Sequence, residues 1–143
     1  MTVSSSKVLV VEDSRFLRMA TEHSLSKAGY LVSTAADGEE ALQVAHDKLP
    51  DIILLDMMLP KISGPNVLKA LKENPATMHI PVIVFTSLSQ KNEEKLISEG
   101  AAAYFEKSAL ALDQNSSRLA DTVETVLAKA KKHRASPPSQ TRV

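Results

Sequence analysis

Three stretches of this chain are apolar with no polar residue breaking the run. They are Val-Leu-Val-Val in Lys7–Val11, Ile-Ile-Leu-Leu in Ile52–Leu55, and Pro81–Phe85. Short runs rich in β-branched residues and lacking alternation suit strands covered on both faces, as in a parallel sheet. Tyr30–Ala35 alternates weakly, as an edge strand does, and Ala102–Phe105 makes a fifth strand. The stretches between them have helical spacing. Ser14 can cap a helix whose apolar side includes Leu17, Ala20 and Leu25, with Gly29 as its stop. Asp37, followed three residues later by Glu40, forms an acidic variant of the capping box before Ala41, Leu42 and Ala45, and Pro50 closes that helix. Pro65 suits the first position of a helix carrying Val67, Leu68 and Leu71, which must end before Pro75. A short helix is expected around Glu93–Glu99, stopping at Gly100. A last helix begins at Ser116 or Ser117 and bears the stripe Leu119, Val123, Val126 and Ala130.

Five strands alternating with five helices give an α/β fold, doubly wound, with right-handed crossovers and a parallel sheet covered on both faces. At 143 residues the chain fits one domain. A polar lead over residues 1–6 and a Pro-Ser segment over 133–143, a disordered tail or a linker, leave residues 7–132 as the expected domain.

Composition narrows the chemistry. There is no cysteine, which excludes disulfides and thiolate metal sites. No run approaches the ~18 apolar residues of a membrane span, and the N-terminus has no long apolar segment, so a cytoplasmic protein with no membrane partner is expected. Net charge is zero, but residues 1–115 carry 11 Lys and Arg against 15 Asp and Glu. An acidic body of this kind does not suggest direct nucleic-acid binding. The basic surplus lies after residue 115, where a solvated last helix accounts for it. His23, His46, His79 and His133 are scattered and are expected at the surface, not as ligands or phosphodonors.

The strand ends carry the candidate chemistry. The first strand ends in Glu12-Asp13, the third in Asp56, the fourth in Thr86, and the fifth runs into Lys107. Taken singly, each of these suits a cap or a solvated charge. In a parallel sheet they converge on the carboxyl edge, where ligands of open α/β sheets bind. Carboxylates gathered there repel one another unless a cation sits among them, and with oxygen donors alone that cation is hard: Mg²⁺, with Mn²⁺ as the alternative. Lys107 and the Thr86 hydroxyl offer a point charge and a donor to a phosphoryl group, and the carboxylate of Asp56 is a nucleophile able to become an acyl phosphate.

Over roughly residues 6–130 the chain resembles the response regulator receiver domains of two-component (phosphorelay) signalling, of the single-domain chemotaxis-regulator type. The resemblance rests on Glu12-Asp13, Asp56 with the following Met-Met-Leu-Pro and Gly64, Thr86, Tyr104 and Lys107. It implies a flavodoxin-like sheet of strand order 2-1-3-4-5. It also implies that Asp56 takes a phosphoryl group from a phosphohistidine on a sensor histidine kinase or a histidine phosphotransfer protein. Asp13, Asp56 and the backbone carbonyl of Met58 would bind Mg²⁺, Glu12 acting through water. Lys107 would contact the phosphoryl oxygens, and Thr86 and Tyr104 would form the switch pair. The face of the fourth helix, fifth strand and fifth helix would then control a downstream protein target. Such a domain catalyses only its own phosphorylation and dephosphorylation.

Two rival classes fail at named positions. A flavodoxin-like or Rossmann cofactor domain needs a Gly- or hydroxyl-rich phosphate loop after the first strand, where Glu12-Asp13-Ser14 stands. A haloacid-dehalogenase-type hydrolase needs a second acid two residues after the nucleophile, where Met58 stands. A receiver-fold interaction module that does not cycle phosphate is the remaining alternative, and the full set of site residues speaks against it. One departure from the family pattern stands out: Ser108, not Pro, follows Lys107. A cis bond before a non-proline costs ~3–4 kcal/mol, so a trans Lys107–Ser108 bond is expected. A longer connection over Ala109–Asn115 is expected with it, with a path of its own before the last helix.

Overall fold

The computed structural model describes residues 6–86, 97, 100–106 and 117–135. Strands β1 (Lys7–Val11), β2 (Leu31–Ala35), β3 (Ile52–Asp56), β4 (Val82–Thr86) and β5 (Ala103–Glu106) form one sheet in the order β2-β1-β3-β4-β5. Every neighbouring pair is parallel. This is the doubly wound, flavodoxin-like arrangement expected from the alternation and the resemblance. The described helices are α1 (Arg15–Lys27), α2 (Gly38–Lys48), α3 (Gly64–Glu73) and a C-terminal helix (Ser117–Ala135). The helix expected over Glu93–Glu99 falls, apart from position 97, outside the described residues. So do Lys107, the Lys107–Ser108 bond and the Ala109–Asn115 connection.

Strand periodicity of two assigns the core. Leu9, Val11, Ile53, Leu55, Val82 and Val84 face α2 and α3, meeting Ala41, Ala45, Val67, Leu68 and Leu71. The alternate positions Val8, Val10, Ile52, Leu54, Ile83 and Phe85 face the other way, toward Leu25 of α1 and Leu119 and Val123 of the C-terminal helix. Every residue of β3 is buried, which explains why its sequence shows no alternation. Burying each of Ile52, Ile53, Leu54 and Leu55 contributes roughly 1.5–3 kcal/mol of transfer free energy, which favours β3 at the centre. Phe105 carries the short edge strand β5 by stacking on Phe85, with ring centroids 5.8 Å apart.

The ends of the helices follow local chemistry. Ser14 caps α1 by accepting from the Leu17 N–H. Asp37 accepts from the Glu40 N–H at 2.8 Å, while the Glu40 carboxylate accepts from the Ala36 N–H at 2.9 Å. Three details differ from the sequence reading. The inward side of α1 runs through Thr21 and Leu25, and Ala20 is exposed; only the i, i+4 row meets the sheet. Ser63, not the residue before a first-position proline, caps α3, so Gly64 takes the first position and Pro65 the second, where its missing N–H is still no loss. The C-terminal helix continues to Ala135, past His133.

Candidate functional site

Register places the acids. Val11 pairs with Leu55, so the residues that follow, Glu12 and Asp56, come side by side where β1 and β3 end. The Glu12 N–H extends the ladder to the Ala35 carbonyl at 3.0 Å before the chain turns away. The Glu12 carboxylate accepts from the Ser14 N–H at 2.9 Å, which turns it back over the start of α1. Arg18, one turn into α1, donates from Nη1 to the carbonyls of Glu12 at 2.9 Å and of Asp13 at 3.4 Å. Asp56 Oδ1 accepts from the Met58 N–H at 3.1 Å, which fixes the rotation of that carboxylate.

Glu12 and Asp56 are buried, at 0% and 1% exposure, and Asp13 opens to solvent. One carboxylate oxygen from each of the three lies within 4.8 Å of the others. Buried like charges this close are costly unless a cation offsets them. The donor set contains oxygen only, and such a set fits a small hard divalent cation.

Two glycines press the loop after β3 into place. A methyl group on Gly64 would overlap the Met57 Cα and the Asp56 carbonyl oxygen, and the Gly64 N–H donates to the Met57 carbonyl at 3.2 Å. A methyl group on Gly38 would overlap the Ile62 carbonyl oxygen and Cβ. Met57 is buried in the core, and Leu59 and Ile62 pack against it. Lys61, held at φ 69°, reaches Asp37 at 3.6 Å and Glu39 at 3.5 Å. The Asp37 carboxyl is held below the usual carboxylate range, chiefly by the Glu40 N–H and further by Lys61.

The other candidates take these places. The Met58 side chain is exposed, and its backbone belongs to the loop just past Asp56. Thr86 is the last residue of β4, in register with Glu106, which immediately precedes Lys107. Tyr104 is half-buried against the α2–α3 side of the core. His23, His46 and His79 are exposed, as expected. A cavity of about 660 Å³ lies elsewhere, at the amino ends of β4 and β5, between Pro81, Ala102 and Val126. Sequence reading missed Arg18, whose spacing from Asp13 looks like any exposed helical arginine. It also missed Gly38, which reads only as a helix start.

Residues 8–133 match the model of the response regulator receiver domain. The chain belongs to that family. This receiver is 37% identical over 101 residues to the polar-differentiation response regulator DivK of Brucella anthropi, covering 70% of this chain and 82% of DivK. It is 42% identical over 101 residues to the response regulator PleD of Caulobacter vibrioides, covering 71% of this chain but 22% of PleD. Among solved structures it is similar to the chemotaxis response regulator CheY4 of Vibrio cholerae, with a TM-score of 0.77 and 31% identity over 86% of this receiver and 99% of that chain. No described helix is long and apolar enough to cross a membrane.

Proposed function

We propose that this receiver takes a phosphoryl group onto Asp56 from a phosphohistidine on a sensor histidine kinase or a histidine phosphotransfer protein. The observation that carries the reading is a buried carboxylate at the end of the central strand, oriented by the Met58 N–H and grouped with Glu12 and Asp13. An Asp56 carboxylate oxygen attacks phosphorus, the phosphorus–nitrogen bond breaks, and the imidazole leaves with the electron pair. The product is an acyl phosphate. Asp13, Asp56 and the Met58 carbonyl would hold Mg²⁺, or Mn²⁺, with Glu12 acting through water. When bound, that cation supplies the positive charge which offsets the carboxylates and the incoming phosphoryl oxygens.

Lys107 and Thr86 would bind the phosphoryl oxygens, a role suited to groups at the ends of β5 and β4. By strand alternation position 86 falls on the same sheet face as position 84, whose register partner is Tyr104, in keeping with a Thr86–Tyr104 switch pair. That pair would report to a downstream protein through the surface of the fourth helix, fifth strand and fifth helix. The working domain, in the cytoplasm, begins at residue 7 and takes in the whole C-terminal helix to Ala135. It acts on no separate substrate and catalyses only its own phosphorylation and dephosphorylation.

Acetyl phosphate with Mg²⁺ tests the reading. Intact mass should show one added phosphoryl group, labile to hydroxylamine, on the wild type and none on Asp56→Asn. Equal labelling of the two would falsify the assignment.

A further inference from the structure

We infer that Arg18 is a positioning residue for the metal site, acting through the backbone of the acidic pair and not as a ligand. The inference rests on the Mg²⁺ reading above. The segment Glu12–Asp13–Ser14 must leave the sheet and enter α1 while aiming a carboxylate at Asp56. Its N–H side is fixed by the bonds of Glu12 to Ala35 and of Ser14 to the Glu12 carboxylate. Its carbonyl side is fixed by Arg18, whose Nη1 spans the two successive carbonyls of Glu12 and Asp13. The peptide planes on either side of Asp13 therefore have their orientation set from α1. Because Asp13 is exposed, tertiary packing does little to hold it in place.

The charge of Arg18 gives the inference a test of sign. A cation so near three carboxylates would ordinarily compete with a bound metal. Here both bonds of Nη1 go to carbonyl oxygens, so the guanidinium braces the site without taking the carboxylate oxygens. Removing it has two opposed effects. Loss of positive charge near the acids favours Mg²⁺, whereas loss of the brace frees Asp13 and disfavours it. Outer groups that orient metal ligands are typically worth roughly 10–100-fold in affinity, and screened charge at a partly exposed position is worth less. The brace should win.

The experiment is calorimetric titration of Mg²⁺ into the full chain at fixed pH and ionic strength, for wild type, Arg18→Met and Arg18→Gln. Met keeps the apolar stem, and Gln is too short to span the carbonyls but guards against an insoluble variant. The expected result is roughly 10-fold weaker binding in each variant that folds, with unfolding midpoints in EDTA close to wild type. Binding as tight as wild type, or tighter, in either variant overturns the inference, as does a lowered midpoint in EDTA with unchanged affinity. If the wild type takes no Mg²⁺, the metal reading itself fails and the inference falls with it.

Discussion

Asp51 and Asp56 bracket the same strand, and each carboxylate accepts a backbone N–H. Asp51 takes that of Lys7 at 2.8 Å, and Asp56 that of Met58 at 3.1 Å. Their settings differ. At the amino edge the Asp51 N–H returns to the Lys7 carbonyl at 2.8 Å, so the aspartate closes a reciprocal pair and its charge meets solvent. At the carboxyl edge Asp56 is buried beside a second carboxylate, within reach of a third. Two residues of one type, five positions apart, thus become a strand fastener and a candidate nucleophile. Surroundings make the difference: one carboxylate is buried among others, and the other sits half-exposed against a backbone amide.

The sharpest way to break this comparison is to neutralise each aspartate. Asp56→Asn should abolish labelling by acetyl phosphate, while Asp51→Asn should label like the wild type; loss of labelling in both would make the contrast empty. Next in size is the glycine that shapes only the Asp56 end. Gly64→Ala forces the Asp56–Met57 backbone to move, and overpacking of this kind costs about 1–3 kcal/mol, read from urea midpoints, with slower labelling alongside. For metal, Asp13→Ala should weaken Mg²⁺ binding more than Glu12→Ala, as a direct ligand outweighs one acting through water; equal effects in a titration would refute that division. Asp51→Ala removes one hydrogen bond and should cost about 0.5–1.5 kcal/mol without touching the metal titration.

Asp37, a third aspartate, adds a half-buried helix cap to the contrast. Its folded-state pKa is lowered, so its contribution to stability is present above the unfolded value of ~3.9. That contribution fades as pH falls below this value through the lowered one. A carboxyl-detected NMR titration should place its midpoint below that of free aspartate. Lys61→Met should raise the midpoint only in part, because the Glu40 N–H is the larger cause.

The fold was legible because burial on both faces leaves an unmistakable trace in Ile52–Leu55 and Pro81–Phe85. Strand ends then follow, and with them the meeting of Glu12, Asp13 and Asp56. What escaped depends on contacts that no pattern of residue types along the chain records. Apolar character alone points to Ala20, not Thr21, as an inward residue of α1, although the i, i+4 row from Leu17 to Leu25 runs through Thr21. Gly38 is needed because Ile62 crosses it, and no pattern around residue 38 records a neighbour 24 positions away. Arg18 escaped for a related reason: backbone carbonyls are identical in every sequence, so a side chain that serves them leaves no complementary residue to find.

The two glycine contacts give the loop between β3 and α3 a directional stiffness. Met57 to Ser63 is pressed against the start of α3 at Gly64 and against the start of α2 at Gly38, with Met57 seated in the core. Interiors this close resist compression and transmit displacement instead of absorbing it. The backbone that carries the Met58 N–H is thus tied to the starts of two helices, so a shift of either helix would be felt at the Asp56 carboxylate it orients.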